Sequence, residues 1–394
     1  MKKLFDAVVR RIIWGVCFFL PVRKNRIFVS SYYGRGYGDN LKYIADKLCG
    51  KDVEVIWLVK NDKEAKTLPE WIKPCMADTA KAIYYITTAG VWLDNSRKPF
   101  FYKKKNQLYI QTWHGGGAQK RCELDAVDKL EPYYIKMSKK DAANTDLMIS
   151  ESRFMTDLYH RSFWYGGPVY ECGYPRYDIL LDHNEELRQK VYGYYGIDRE
   201  KELVLYAPTF RADKSFDAYN IDFERLRENL KKRFGREYVI LVHLHPIVAN
   251  IEGGIDYDGV NVINSTFYPD TQELIAVATV LIGDYSSINY DFSLKKQPVL
   301  RYAADLEQYR NDRDLYYPFD EYPYPCALNN DELEDLILGF DSEKYISGLT
   351  AFFDELGSVI CPGASEKIAE LILDYIHSGS KDGFLEKNRD KFIY

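Results

Sequence analysis

A histidine followed by three glycines is the group in this chain best suited to acid–base chemistry. Residues 107–112 form a strand-like run, and His114 follows it ahead of Gly115, Gly116 and Gly117. Imidazole is a natural base for taking a proton from a hydroxyl near neutral pH. Glycines lose much conformational entropy when they are ordered, and loops at strand ends often carry function. We therefore predict that His114 is a general base. A histidine that only hydrogen-bonds its own loop is the alternative.

Two strands of the second half also end in polar groups. The run from Tyr206 to Arg211 carries a hydroxyl at Thr209 and ends in a guanidinium, and both groups can reach phosphate oxygens. His243 and His245 share one face of a later strand, because the side-chain period of a strand is two. We expect His245, at the strand exit, to face the ligand. A zinc site that uses both histidines is the alternative, but the sequence offers no third ligand.

The most specific local pattern runs from Asp284 to Phe292, directly after an apolar strand. Ser286 and Ser287 lead into a helix, so hydroxyls, backbone N–H groups and the positive end of the helix dipole point to one place. This arrangement favours a bound pyrophosphate. Asp291, about one helical turn further on, is placed to accept hydrogen bonds from ribose hydroxyls. The alternative is simple helix capping by the serines, with Asp291 as a solvated acid.

A glycine-rich turn lies between the first predicted strand and the next helix. Gly34 and Gly36 begin a dinucleotide fingerprint, but Asp39 occupies the position of its third glycine, which disfavours NAD binding. The glycines still allow a ligand to approach the backbone closely. We expect Asp39 or Asn40 to cap the helix that follows.

Strand-like and helix-like segments alternate along the chain, as is typical of parallel α/β sheets. Helical spacing marks residues 221–234 and 270–278 as crossover helices. Two doubly wound sheets would bind ligands at the carboxyl ends of their strands, in a cleft between two lobes. The predicted strands are 26–30, 53–59, 90–93, 107–112 and 146–150 in the first set, and 203–207, 238–244, 260–263, 280–282 and 298–301 in the second.

Length and composition fit a two-domain globular enzyme. A chain of 394 residues is long for one core, and 46% hydrophobic with 28% charged residues is the profile of a folded protein. Seven scattered cysteines without a Cys-x-x-Cys pair indicate a reducing compartment and no structural zinc. The stretch 364–377 is helix-like and fits either lobe. The predicted parts are a membrane-interface helix at 1–25, Rossmann-like lobes at 26–190 and 191–378, and a polar, mobile tail at 379–394.

The N-terminal part combines positive charge with an apolar stretch. Residues 1–120 contain 22 Lys and Arg against 10 Asp and Glu, a net of +12, which leaves −18 for the rest of the chain. Trp14, Phe18 and Phe19 with basic flanks favour a helix in the headgroup region of an anionic membrane. A buried core helix, a membrane span and a merely uneven charge distribution are the alternatives. No cleavage site follows Leu20, and no nucleic acid is expected as a partner.

Five ordered segments resemble the motifs of the CDP-glycerol glycerophosphotransferase family of teichoic-acid synthesis. That family typically has Trp-His-Gly-Thr-Pro, Gly-Tyr-Pro-Arg, Tyr-Ala-Pro-Thr-Phe-Arg, His-Pro and Asp-Tyr-Ser-Ser-x-x-x-Asp-Phe. The chain has, in the same order, Trp113-His114-Gly115, Gly173-Tyr174-Pro175-Arg176, residues 206–211, His245-Pro246 and residues 284–292. The likeness covers about residues 27 to 375. After His114 the usual Thr-Pro-Leu-Lys is replaced by Gly116-Gly117-Ala118-Gln119, and residues 320–325 lack the usual Pro-Gly turn.

The resemblance implies a GT-B-like fold and transfer of glycerol phosphate, or a related polyol phosphate, from CDP-glycerol or CDP-ribitol to a hydroxyl of a lipid-linked or polymeric envelope glycan. CMP would be released, the donor would bind the second lobe, and no metal or other cofactor is implied. The protein would lie peripherally on the cytoplasmic face of the cell membrane. The implied site residues are His114 and His245 as catalytic groups, Arg211, Thr209, Ser286, Ser287, Asp284 and Asp291 for the donor, and Gly34, Gly36, Asp39, Asn40, Gly115 and Gly116 in the acceptor-side loops.

Two other functions are compatible with the sequence. A nucleotide-sugar glycosyltransferase of the same architecture is one, because helix N-termini bind pyrophosphate there as well. A non-enzymatic membrane-bound scaffold of envelope assembly is the other, because of the basic N-terminal part. The sequence leaves open one addition or many, and the chain length favours a single addition or a short extension.

Overall fold

The computed structural model of the protein describes residues 2–98, 103–117, 119–182, 184–211, 219–245, 261–312 and 314–394, without the side chains of 2–8 and 310–312. The chain forms two compact units. The first comprises Met1–His114, Cys122–Asp178 and Val359–Tyr394, and the second comprises Gly115–Arg121 and Ile179–Ser358. The sequence-based division differs in three places: it put the boundary near residue 190, residues 115–121 in the first lobe and residues 359–378 in the second.

The first unit is built on one sheet of parallel strands. Its strands are β1 (Arg23–Ser30), β2 (Glu54–Val59), β3 (Lys73–Met76), β4 (Ala89–Asp94), β5 (Leu108–Gln111), β6 (Leu147–Ser150) and β7 (Val169–Glu171). They lie in the order β3-β2-β1-β4-β5-β6-β7. Because the order changes direction between β1 and β4, the carboxyl ends of these two strands form the crevice where doubly wound sheets bind ligands.

The second unit repeats this plan with a second parallel sheet. Its strands are β8 (Glu202–Tyr206), β9 (Tyr238–Val242), β10 (Val262–Asn264), β11 (Val280–Gly283), β12 (Val299–Tyr302) and β13 (Cys326–Ala327). The order is β10-β9-β8-β11-β12-β13, so the direction changes between β8 and β11. The predicted α/β class with two Rossmann-like sheets is confirmed.

Helices with local capping signals cover both sheets. Asp222 and Asp270 accept the N–H groups of Arg225 and Gln272 at two helix starts, and Gly196 ends a helix in the left-handed conformation. The helices are α1 (Lys2–Phe18), α2 (Asp39–Leu48), α3 (Asp62–Ala65), α4 (Ala80–Thr88), α5 (Pro132–Asn144), α6 (Arg153–Ser162), α7 (Asp178–Leu181), α8 (Glu185–Tyr195), α9 (Phe223–Phe234), α10 (Thr271–Val277), α11 (Ile288–Ser293), α12 (Leu306–Asp312), α13 (Asn330–Leu338), α14 (Ser342–Leu356), α15 (Ala364–His377) and α16 (Lys381–Lys387).

Helix α1 has one packed apolar face and one exposed apolar face. Trp14 and Cys17 are buried in a core cluster of the first unit that includes α4 and strands of its sheet. Ile12, Val16 and Phe19 are 62%, 65% and 88% exposed. Across the described residues, the structure has no helix whose length and apolar character would allow it to cross a membrane. One face of the helix that was predicted to lie in the membrane interface is therefore part of the core, and its other face is exposed to solvent.

The segment after Gly379 is folded, contrary to the predicted mobile tail. Phe384 of α16 is fully buried, and its ring lies edge-on to Tyr375 at 5.5 Å. Ile393 pairs with Val169 of β7 through hydrogen bonds of 2.8 and 2.9 Å. Apolar residues spaced through a polar sequence hold this segment on the first unit.

Candidate active site

The His114 imidazole is oriented by one backbone carbonyl. Its Nδ1 lies 2.6 Å from the carbonyl oxygen of Asn95, which follows β4. A carbonyl oxygen only accepts hydrogen bonds, so Nδ1 carries the proton and Nε2 keeps the lone pair. This is the tautomer that a general base needs, with Nε2 as the proton acceptor.

Aromatic neighbours keep the His114 ring partly desolvated. The ring centroid lies 4.4 Å from that of Trp113 and 5.3 Å from that of Tyr32. Burial lowers the pKa of His114, and the hydrogen bond to Asn95 and the charge of Asp39 offset only part of this shift. The imidazole is therefore neutral near pH 7, the state in which it can accept a proton.

The loops around His114 hold strained backbone conformations. Tyr32, Tyr33, Asp39 and Trp113 all have φ between 42° and 58°, a region that non-glycine residues rarely occupy. Asn95 supports one of them, because its Oδ1 accepts the Tyr32 N–H at 2.8 Å. Such strain persists only where the surrounding structure enforces it, and it concentrates at functional sites.

Asn40 connects three of the sequence motifs. Its Nδ2 donates to the Trp113 carbonyl at 3.2 Å, and its Oδ1 accepts the Arg176 N–H at 3.2 Å. The Arg176 guanidinium lies 3.5 Å from Asp39. At the start of α2 the cap position is Gly38, which has no side chain, and the Asp39 carboxylate accepts the first-turn Asn40 N–H at 2.5 Å. Asn40 does not cap the helix, because its side-chain amide makes the contacts given above.

Gly34 and Gly36, in the loop after β1, both contact β2. Gly34 has a φ of +90°, and an added Cβ would lie 3.2 Å from the backbone of Val59. The Gly36 carbonyl accepts the Trp57 indole N–H at 3.1 Å. The close approach that Gly34 permits is therefore to the protein's own chain, whereas an added Cβ at Gly36 would meet nothing within 4 Å.

In the second unit, Arg211 lies between two carboxylates. Its guanidinium contacts Asp305 at 2.5 Å and Asp284 at 2.9 Å. Asp284, 1% exposed, also accepts Thr209 N–H and Oγ1–H at 2.8 and 2.7 Å, and the Tyr285 N–H at 2.6 Å. The oxygens of Asp284 thus join the loops after β8 and β11, at the sheet's change of direction.

Burial and ion pairing shift the pKa values of Arg211 and Asp305 in opposite directions. Burial alone would lower the pKa of Arg211, but the bonds with Asp305 and Asp284 outweigh it and raise the pKa. Burial alone would raise the pKa of Asp305, and its bonds to Arg211 and Tyr285 lower it instead. Arg211 and Asp305 are therefore both charged at neutral pH, and the guanidinium is held between two carboxyl groups.

The pattern Asp284 to Phe292 places its two serines at the surface of the loop. Ser286 and Ser287 are partly exposed, and Ser286 Oγ accepts the Ile288 N–H at 3.4 Å. Asp291 is only 4% exposed, and its carboxylate accepts Gln272 Nε2–H at 3.1 Å. The serines are available to a ligand, whereas Asp291 lies in the interior behind them.

The two histidines after β9 have different surroundings. His243 Nδ1 donates to the Ser265 carbonyl at 2.8 Å, its Nε2 lies 3.1 Å from Thr271 Oγ1, and burial lowers its pKa. His245 is exposed, and its ring lies 5.3 Å from that of Phe210. Pro246 lies outside the described residues. Within the described chain, no three His, Cys, Asp or Glu side chains are grouped to hold a metal ion.

Comparison with known proteins settles the family. The profile of CDP-Glycerol:Poly(glycerophosphate) glycerophosphotransferase matches residues 13–374. The chain belongs to this family. As a member of the glycerophosphotransferase family it is a transferase, and the predicted resemblance is confirmed.

Curated relatives of the glycerophosphotransferase include transferases and polymerases. The chain is 29% identical to the teichoic acid poly(glycerol phosphate) polymerase of Bacillus spizizenii over 92% of this chain and 95% of that protein. It is 29% identical to the teichoic acid glycerol-phosphate transferase of Staphylococcus aureus, over 89% and 93% of the two chains. It spans about half, 51%, of the corresponding polymerase of Staphylococcus epidermidis.

Solved structures of one relative share the fold of this glycerophosphotransferase. The wall teichoic acid polymerase TagF superposes with a TM-score of 0.81 at 27% identity, over 95% of this chain and 96% of that chain. A TagF variant soaked with CDPG gives the same TM-score at 26% identity.

Sequence reasoning left three supporting residues unassigned. Asn95, Arg176 and Asp305 orient His114, Asn40 and Arg211 respectively. Arg176 lies within a segment quoted above for the family resemblance, Asp305 follows β12, and Asn95 follows Asp94 at the end of an apolar strand. Polar residues at strand ends were the available signal, but their partners depend on the tertiary structure.

Proposed function

We propose that this transferase moves glycerol phosphate from CDP-glycerol to a hydroxyl of a lipid-linked or polymeric cell-envelope glycan and releases CMP. The observation that carries the proposal is the His114 tautomer, because Nε2 is left as a proton acceptor on a ring held by Asn95. The family and the names of the relatives support the donor and the class of acceptor.

On the acceptor side, His114 acts as the general base. Its Nε2 takes the proton of the acceptor hydroxyl, while that oxygen forms a bond to the phosphorus that carries glycerol. The bond from this phosphorus to the bridging oxygen breaks, and CMP leaves with the electron pair. Positioning and electrostatic stabilisation supply most of the catalysis in such a transfer.

On the donor side, exposed groups bind the pyrophosphate and buried groups hold them in place. His245, Ser286 and Ser287 are accessible at strand ends and contribute the contacts. Arg211 contributes guanidinium N–H donors from the loop after β8, and its two carboxylate partners hold it in place. Thr209, Asp284 and Asp291 position these loops, because their side chains bond within the protein.

The test is a donor panel with membrane extract as acceptor. CMP release from CDP-glycerol is expected to exceed release of nucleotide from any UDP-sugar by at least tenfold, and CDP-ribitol is included to rank the two polyols. Activity with a UDP-sugar alone would assign the chain to the glycosyltransferases. If no donor supports acceptor-dependent transfer, the non-enzymatic scaffold remains as the function.

The exposed face of α1 is the second element of the proposal: it binds an anionic membrane surface from the cytoplasmic side. Ile12, Val16 and Phe19 form an apolar strip, and basic residues flank the helix. Apolar side chains that enter the acyl boundary contribute roughly 25 cal/mol per Å² of buried area, and basic residues add attraction to anionic lipids.

Replacing Val16 and Phe19 with Ser should therefore weaken binding to vesicles of anionic lipid by about tenfold or more. Sedimentation with vesicles measures the partition coefficient. Leu338→Ser is the matched control, because Leu338 is an exposed leucine, 42% accessible, at the end of α13 in the second unit. Equal loss in both variants, or none in the first, would contradict a membrane role of α1.

A further inference from the structure

The segment directly after His114 is built into the second unit. Residues 115–121, here called the strap, cluster with that unit although His114 belongs to the first. Lys120 forms an antiparallel bridge with Leu315, and the Arg121 N–H donates to the Asp314 carbonyl at 3.0 Å. The Gln119 carbonyl accepts the Tyr316 N–H at 3.0 Å. The strap is thus attached along most of its described length.

Gly117 fits the strap onto the ring of Tyr290. Its φ is +67°, and an added Cβ would overlap the Tyr290 ring and Cβ. Tyr290 has no room to move aside, because it is 1% exposed, its ring lies edge-on to Phe353 at 5.7 Å and its hydroxyl donates to Ser358 Oγ at 2.7 Å. Only glycine satisfies both the backbone conformation and the space.

Tyr290 belongs to the segment that we propose binds the donor. It lies in α11, where its N–H donates to the Ser287 carbonyl at 3.0 Å. The neighbouring Asn289 donates from Nδ2 to the Asp284 carbonyl at 2.9 Å. Tyr290, which the strap contacts, and the loop of Ser286 and Ser287 are therefore joined by hydrogen bonds within one turn.

We infer that the contact between Gly117 and Tyr290 restricts the conformations of the loop that carries the general base. His114 is three residues from Gly117, so at most about 11 Å of chain separates their Cα atoms. A short chain fixed at Gly117 restricts the backbone conformations that His114 can adopt. Gly117 and Tyr290 are positioning residues in this inference, because they act through His114. This inference rests on the proposed role of His114.

Gly117→Ala tests the contact, and Gly196→Ala is its matched control. Gly196 has the same φ of +67°, but an added Cβ there would meet nothing within 4 Å. Gly117→Ala should lower kcat for acceptor-dependent CMP release at least 20-fold and leave the Kd for CDP within threefold of the wild type. Gly196→Ala should keep kcat within threefold.

A double variant separates the contact from general damage. If overlap with the ring is the cause, Gly117→Ala combined with Tyr290→Ala should be no slower than Tyr290→Ala alone, because effects through one contact are not additive. Tyr290→Phe keeps the ring and should retain more activity than Tyr290→Ala. If Gly117→Ala lacks native circular dichroism, Tyr290→Leu replaces it under the same criteria for kcat and Kd.

Three results would overturn the inference: unchanged kcat in Gly117→Ala, a Kd for CDP that weakens in parallel with kcat, or losses that multiply in the double variant. His114→Ala is measured beside them. If His114→Ala loses activity and Gly117→Ala is fully active, only the role inferred for the strap is refuted. A fully active His114→Ala would refute the proposed base itself.

Discussion

Replacing His114 with Ala should slow CMP release from CDP-glycerol by about 10²- to 10⁴-fold, the usual contribution of a general base. The Kd for CDP should change little, because His114 lies in the first unit and the proposed donor groups lie in the second. Initial-rate kinetics with membrane extract as acceptor measure the effect. His160→Ala is the matched control: its Nε2 lies 3.0 Å from the Gly167 carbonyl, another ring nitrogen bonded to backbone, and kcat should stay within threefold.

The pH profile tests the same role independently of the size of the loss. A general base works only when deprotonated, so kcat/KM should fall as the pH drops through the pKa of His114. Because burial lowers that pKa, the acidic limb should lie below the ordinary histidine value of about 6.5. A His114→Ala enzyme that keeps the same acidic limb would show that another group titrates.

Replacing Asp284 with Ala should lower the unfolding free energy of the second unit by about 3–5 kcal/mol, the cost of breaking a buried ion pair by removing one partner. The change leaves Arg211 without one carboxylate and removes an acceptor from Thr209 and Tyr285. Donor binding should weaken as well, since the loops after β8 and β11 lose their shared anchor.

Spectroscopy can assign this loss to one unit. All six tryptophans lie in the first unit, so their fluorescence follows that unit alone, whereas circular dichroism follows both. In urea, Asp284→Ala should shift a circular dichroism transition to lower concentration and leave the fluorescence midpoint close to that of the wild type. Asp331→Ala is the control: its ion pair with Arg225 is exposed, and its loss should cost no more than about 1 kcal/mol. Equal losses in both variants would contradict the proposed anchoring role of Asp284.

The sequence predicted the central strands well and missed three of the four edge strands. Apolar, β-branched runs identified β1, β2, β4, β5 and β6 to within a few residues. The missed strands β3, β7 and β13 have two to four residues each and lack the run of apolar, β-branched residues that marks the central strands. Lys73-Pro74 in β3 also reads as an edge or a turn, because proline lacks the N–H of a central ladder.

Prediction of the site was strongest where chemistry depends on local sequence. Histidines and serines at strand ends can be recognised from a short window, and the structure leaves His245, Ser286 and Ser287 accessible. Which polar groups pair could not be foreseen, because Arg211 and Asp305 are 94 residues apart in the chain. The burial of Asp291 could not be foreseen either, because its hydrogen-bond partner Gln272 lies in another helix.

The discontinuity of the first unit has a consequence for synthesis on the ribosome. Domains made of one continuous segment can fold as they emerge, N-terminal domain first. Here α15, α16 and the strand-like end at Ile393 complete the first unit only after residues 179–358 have been made. Of the two units, the one whose synthesis begins first is therefore the one that finishes folding last, and during the interval α2 and the edge strand β7 lack these C-terminal contacts.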